Sequence, residues 1–254
     1  MSLRREFLKT AVLGSAASIF SPTISVAEVF SEIDLKKEET GYTFLFQGDS
    51  ITDGNRTRNS DWNHVMGHGF AYLIASRLWF DHPEKKFQFF NRGVSGNKIT
   101  DLAQRWQMDT IDLKPDLINI LVGVNDTEAA VKGSKENTTD QFESDYRKLL
   151  QTTKEKLPNV QLVLCIPFLF PVGRVKDKPE VYEKELRPRQ EIVRKLAKEF
   201  NAIEIDFQSE FDKALKKAAA DYWIWDGIHP MPAGHELMAR FWLNEVQKKI
   251  KFVK

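Results

Sequence analysis

Short, mostly apolar runs alternate along the chain with longer stretches whose apolar residues recur every three or four positions. The runs are Tyr42–Phe46, Phe87–Phe90, Leu117–Val122 and Val160–Ile166, with Ala202–Ile205 as a shorter fifth. Gly41 and Gln47-Gly48 bound the first, and an apolar run of that length between turn formers suits a buried strand. Helical periodicity covers Phe70–Phe80, Ile99–Ile111, Phe142–Leu157 and Val181–Phe200, and a last helix is expected from about Pro232 to Ile250. Strands separated by helix-sized segments describe βαβ units, hence a mainly parallel sheet covered on both faces. No repeat, low-complexity tract or Pro/Gly/Ser linker interrupts residues 28–254, which read as a single domain. In such a sheet, ligands bind beyond the carboxyl ends of the strands.

The 254 residues are 42% hydrophobic, enough for a substantial core in one large α/β domain. With 37 Lys+Arg against 36 Asp+Glu the formal charge is +1, which gives no electrostatic reason to expect nucleic acid or an anionic membrane as partner. The single cysteine, Cys165, excludes an internal disulfide and a Cys-rich zinc site. Its place inside Leu162–Ile166 marks it as a buried structural thiol.

Residues 1–27 follow a different plan. Arg4-Arg5-Glu6-Phe7-Leu8-Lys9 leads into a mildly apolar stretch from Ala11 to Phe20 and then Ser25-Val26-Ala27, the order of an export signal with a small-residue cleavage site. The paired arginines and Phe-Leu-Lys resemble the bacterial twin-arginine signal, whose substrates cross the membrane folded. The alternative is an amphipathic first helix of a cytosolic protein, which Gly14, Pro22 and many Ser and Ala residues suit poorly. The apolar stretch is shorter than the roughly 20 residues that span a bilayer, and no cysteine follows it to accept a lipid. The expectation is a mature protein starting near Glu28, periplasmic or extracellular, with no stable membrane association.

Chemistry-bearing residues gather at the expected strand exits. The first strand runs into Gly48-Asp49-Ser50-Ile51-Thr52-Asp53, where a hydroxyl on a strand-to-helix turn has backbone amides nearby. By itself Gly48-Asp49-Ser50 is equally an ordinary turn and N-cap. The second strand exits into Asn91-Arg92-Gly93-Val94-Ser95-Gly96-Asn97 and the third into Gly123-Val124-Asn125-Asp126. Before the final helix, Asp226-Gly227-Ile228-His229-Pro230 sets an imidazole three residues after a carboxylate. A serine nucleophile needs a base, and a histidine base needs a group that holds its tautomer. Ser95 is a rival nucleophile, but Asn97 replaces the second glycine of a Gly-x-Ser-x-Gly elbow.

In this order and at these strand ends, the four segments resemble the SGNH or GDSL hydrolases, and the resemblance runs from about Phe44 to the last helix. It implies a flavodoxin-like three-layer α/β/α sandwich with a five-stranded parallel sheet. It implies Ser50 as nucleophile, His229 as general base and Asp226 as the group that orients it. The oxyanion hole it implies comprises the amides of Ser50 and Gly93 and the side chain of Asn125, with no cofactor and no metal. Within the family the chain is most similar to the acetyl xylan esterase type. That similarity rests on Gly48–Asp53, on Asn91–Asn97 followed by Asp101-Leu102 and Arg105-Trp106-Gln107, on Lys114-Pro115-Asp116 and on Trp225–Pro230. The implied partner is an acetylated oligo- or polysaccharide. One departure is Thr127-Glu128, where relatives often carry an aromatic residue. A lysophospholipase or thioesterase branch of the family is the enzymatic alternative, and a non-catalytic glycan-binding protein on the same fold is the alternative of another class.

The remaining candidates have blander readings. Trp223, Trp225, Phe168 and Phe170 lie near strand ends or the histidine, and such rings stack on sugars as readily as they pack in cores. His64 and His68, at i, i+4 spacing, could share a helix face, but two glycines and the lack of an acidic zinc-protease partner weigh against a metal there, with loop packing or hydrogen bonding as the alternative. His235 reads as a helix-face residue and His82 as a helix end. The Lys and Glu residues between Lys176 and Glu199 read as a solvated helix face with i, i+4 pairs.

Overall fold

The strands are β1 (Thr43–Gly48), β2 (Gln88–Asn91), β3 (Leu117–Leu121), β4 (Gln161–Cys165) and β5 (Ile203–Ile205), each within a residue or two of its apolar run. They form one parallel sheet in the order β2-β1-β3-β4-β5. The computed structural model describes residues 41–59 and 61–254, so the export signal expected over 1–27 lies outside the described residues. The described residues fall in one compact unit.

The helices are α1 (Ser50–Asp53), α2 (Phe70–Asp81), α3 (Ile99–Asp109), α4 (Val124–Val131), α5 (Thr139–Lys156), α6 (Pro179–Glu199), α7 (Phe207–Ala214), α8 (Ala220–Trp223) and α9 (Pro232–Lys249). Periodicity foretells the five long ones. It misses α1, α4, α7 and α8, which have eight residues or fewer and so are too short to display a repeat. Among the described residues no helix is long and apolar enough to cross a membrane.

Alternation along each strand sorts the core into two layers. Phe44, Phe46, Leu117, Leu121, Val163 and Cys165 pack with Phe70 and Ile74 of α2, Phe207 of α7 and Trp242 of α9. Leu45, Ile118, Ile120, Leu162 and Leu164 face Trp106 of α3, Tyr146 of α5 and Val193 of α6. Asn119, at the middle of β3, is fully buried and accepts at Oδ1 from Trp242 Nε1 (2.8 Å) and from the Cys165 thiol (3.1 Å). Burial pushes that thiol well above its ordinary range, as a structural cysteine requires. On α6 the solvated face is interrupted by Arg189, which is fully buried and donates to the Asn137 and Glu185 carbonyls.

The strand order places the functional edge. The chain leaves β1 toward β2, then returns across to β3 on the other side, which opens a crevice at the carboxyl ends of β1 and β3. Gly48 pairs with Leu121, so the two strands end level and their exit loops face one another.

Candidate active site

At the end of β1 a Cβ on Gly48 would lie 2.2 Å from the Leu121 carbonyl oxygen, so only glycine lets the strands approach this closely. Asp49 then caps α1, accepting from the Ile51 amide at 3.0 Å. Ser50 is the first residue of α1, where a backbone N–H has no intrahelical acceptor. Its Oγ lies 2.8 Å from Nε2 of His229. His229 Nδ1 lies 2.8 Å from Asp226 Oδ2. The other carboxylate oxygen, Oδ1, accepts from the amides of His229 (2.8 Å) and Ile228 (3.0 Å), which clamps the loop and the ring together. Burial works to raise the Asp226 pKa, but the His229 amide, the His229 ring and the Ile228 amide outweigh it and hold the carboxyl below its ordinary value.

A supporting cation comes from elsewhere in the chain. Arg174, in the loop after β4, donates to Asp226 Oδ2 and, at 3.4 Å, to Glu128 Oε1, while its amide donates to the Asp226 carbonyl at 3.0 Å. Glu128 is the second residue of the Thr127-Glu128 pair expected to depart from the family pattern. It is turned inward, toward Arg174 and the Tyr182 hydroxyl, so it belongs to the scaffold of Asp226. Neither Arg174 nor Tyr182 carries a signal in the sequence, because their meaning lies wholly in a contact some 50 residues away.

Gly93 is placed differently from expectation. Its amide is buried and donates to Asn91 Oδ1 at 2.9 Å, and a Cβ there would meet the Asp53 amide nitrogen at 2.3 Å. The glycine is needed for packing against Asp53, and its N–H is committed. Three residues on, Gly96 has φ +84° with no heavy atom within 4 Å of a Cβ position, and no described residue accepts from its amide. Its neighbours are pinned: Ser95 donates to Asp53 Oδ2 through its amide (3.1 Å) and hydroxyl (3.0 Å), and the Asn97 carbonyl accepts from Asn125 Nδ2 at 3.1 Å. Ser95 is thereby occupied as a structural group. Asn125, near the start of α4, keeps its second amide hydrogen free.

Two hubs fix this loop. The Asn91 side-chain amide donates to the carbonyls of Thr52 (2.7 Å) and Met66 (3.0 Å), tying β2 to the serine turn. Arg105 donates to Gln47 Oε1, the Arg92 carbonyl and Asn97 Oδ1, all at 2.8 Å. Its neighbour Trp106 belongs to the core, bonded to Thr153 Oγ1 at 2.9 Å.

A cavity of about 250 Å³ opens beside Ser50, walled by Asn55, His68, Trp225, His229 and His235. Of the four candidate aromatics only Trp225 belongs here: it is 60% exposed, and its ring lies over His229 with 6.3 Å between centroids. Phe168 and Phe170 are buried against Phe211, and Trp223 is half-buried with Nε1 on the Ala218 carbonyl. The segment holding His64 forms turns in place of a helix, and His64 pairs with Asp61 at the surface while His68 reaches the cavity. Among the described residues no three His, Cys, Asp or Glu side chains are grouped to hold a metal ion.

Residues 46–237 match the GDSL-like lipase/acylhydrolase family, and the chain belongs to that family, as a carboxylic ester hydrolase. An acetylxylan esterase from Geobacillus stearothermophilus is 31% identical over 213 residues, 82% of this chain and 94% of the relative. A crystal structure of Axe2, an acetylxylan esterase from the same species, superposes with a TM-score of 0.71 at 31% identity, covering 85% of this chain and 98% of its own. That of a GDSL-like lipase from Parabacteroides merdae gives a TM-score of 0.79 at 39% identity over 83% of this chain and 97% of that one.

Proposed function

We propose that this protein is an exported esterase that removes acetyl groups from carbohydrate through a serine acyl-enzyme. The observation that carries the reading is the unbroken relay from Ser50 Oγ to His229 to Asp226, with 2.8 Å at each link. His229 Nε2 takes the Ser50 proton as Oγ attacks the ester carbonyl. Asp226 holds the proton of His229 on Nδ1 and stabilises the imidazolium that forms. The tetrahedral oxyanion is received by the Ser50 and Gly96 amides and by Asn125 Nδ2. Gly96 replaces Gly93 in this role because its amide is unclaimed. His229 then returns the proton to the leaving alcohol, and water, activated by the same ring, attacks the acetyl-serine to release acetate.

Several features support the acetyl and carbohydrate parts. The cavity beside Ser50 combines the imidazoles of His68, His229 and His235 and the Asn55 amide with the Trp225 ring, which suits a hydroxyl-rich alcohol. Trp225 presents an exposed ring face next to His229, fit to stack on a sugar. The similarity to acetylxylan esterases points the same way, and the pattern of residues 1–27 supports export.

The test is hydrolysis of p-nitrophenyl esters from acetate to laurate, and of acetylated xylo-oligosaccharide, by the purified protein, with Ser50→Ala as control. Preference for acetate, release of acetate from the oligosaccharide and loss of both in Ser50→Ala are expected. A preference for long chains would move the protein to a lipid or thioester substrate, and activity independent of Ser50 would overturn the mechanism.

A further inference from the structure

The cavity beside Ser50 holds a second imidazole that acyl transfer leaves unused. His235 lies in the first turn of α9, and its Nδ1 accepts from the Phe70 amide at 3.1 Å. Phe70 opens α2, so this bond satisfies an N–H that the helix itself leaves unpaired. The ring rests on Gly69, where a Cβ would come within 3.1 Å of its Cε1. Because a backbone N–H can only donate, Nδ1 carries no proton, and the single proton of the neutral ring sits on Nε2. Burial, and then the neighbouring His68 and His229, push His235 down to about 4, so the tautomer persists through neutral pH. With Nδ1 taken by the Phe70 amide, Nε2 is the polar edge that His235 has left for the cavity it lines with Ser50 and His229, and no described residue accepts from it.

The cavity is also on the alcohol side of the ester. His229 must hand its proton to the leaving oxygen, so the alcohol has to lie against His229, and this cavity is walled by His229 and Trp225. An acetyl methyl has nothing to accept a hydrogen bond, whereas a sugar carries hydroxyls beside the esterified carbon.

We infer that His235 Nε2–H is a fixed hydrogen-bond donor to the hydroxyl adjacent to the acetylated position, making this residue a specificity determinant for polyhydroxylated alcohols. The inference rests on the carbohydrate reading above. A donor built into the wall grips the leaving group at little ordering cost, because its tautomer and orientation are already set by α2.

His235→Asn tests it, since the asparagine carbonyl takes the place of Nδ1 toward the Phe70 amide while the Nε2 donor is removed. Wild type and variant are compared on p-nitrophenyl acetate, on a methyl xyloside acetylated at a single hydroxyl, and on the same xyloside lacking the adjacent hydroxyl. For His235→Asn, kcat/KM on the acetylated xyloside should fall about tenfold, and on p-nitrophenyl acetate it should stay within about twofold. Wild type should lose about tenfold on the deoxy xyloside, and the variant should lose nothing further on it, the non-additivity expected of partners in one bond. Equal losses on both esters, no loss on either, or losses on the xylosides that multiply would overturn the inference and leave the carbohydrate reading standing. Should the variant fail to fold, an undiminished rate of wild type on the deoxy xyloside would overturn it. A wild type that cleaves p-nitrophenyl acetate but not the acetylated xyloside would remove both readings together.

Discussion

Asp226→Asn changes one atom of the relay, and the structure dictates which way the new amide must sit. Oδ1 accepts from two main-chain amides, His229 at 2.8 Å and Ile228 at 3.0 Å, and neither donor can reverse its role. Asparagine therefore keeps its oxygen there and puts its NH₂ where Oδ2 was, facing His229 Nδ1 and the Arg174 guanidinium. That NH₂ donates to Nδ1, which must give up its proton, so the ring proton moves to Nε2 and points at Ser50 Oγ. In this tautomer His229 cannot accept the serine proton. Turning the amide over restores the useful tautomer but strands the two main-chain donors, at about 1–3 kcal/mol each. Because the flipped oxygen regains the Arg174 hydrogen bond, the competent population is lowered by at most roughly 6 kcal/mol, a range that contains the loss of about 10⁴ in kcat for such a change in a Ser-His-Asp enzyme. The assay is steady-state turnover of p-nitrophenyl acetate with Ser50→Ala as floor and thermal unfolding as a check on the fold. Turnover within tenfold of wild type in a folded Asp226→Asn protein would refute the tautomer argument.

Three further outcomes are expected. Asn125→Ala should lower kcat by at least about 10²–10³ with only a small drop in Tm, because one oxyanion donor is lost together with a single part-buried hydrogen bond to the Asn97 carbonyl; normal turnover removes Asn125 from the mechanism. Asp49, raised to about 7 by burial and then by the charges of Asp126 and Asp53 against its Ile51 hydrogen bond, keeps its proton in the folded chain where the unfolded chain has lost it. Its contribution to stability is therefore complete below about pH 4 and declines as pH rises through 7, so the Tm of Asp49→Asn relative to wild type should increase from pH 4 to pH 8; a pH-independent difference contradicts this. Gly93→Ala should destabilise the fold by about 1–3 kcal/mol or more, since its methyl would meet the Asp53 backbone at 2.3 Å; an unchanged Tm would show that this packing is softer than it looks.

Much of the architecture was legible because burial on both faces of a parallel sheet leaves nearly unbroken apolar runs, such as Leu117–Val122, that no solvated segment would carry. Ser50, Asn125, Asp226 and His229 could be singled out because each lies at the end of such a run or just before a helix, while the roles proposed for them came from the family resemblance. The Gly93 expectation failed for a physical reason. Two glycines in one loop look alike in sequence, and only the position of the Asp53 backbone tells that one is needed for close packing and the other leaves its amide open. The four aromatic candidates separated in the same way: Phe168 and Phe170 are swallowed by the core while Trp225 stays in solvent beside His229.

Sequence by itself therefore determined the strands and the five long helices, the parallel class of the sheet and the residue types able to perform acyl transfer, since these depend on local periodicity and on chemistry that each side chain carries alone. Tertiary structure decided which of those groups meet. It brought Arg174 and Glu128 behind Asp226, committed the Gly93 amide to Asn91, and turned His235 toward Ser50 by anchoring it on the first amide of α2. Each of these is a contact between segments from 46 to 165 residues apart or a choice of donor within one loop, and local pattern is blind to both because a hydrogen bond is set by distance and direction.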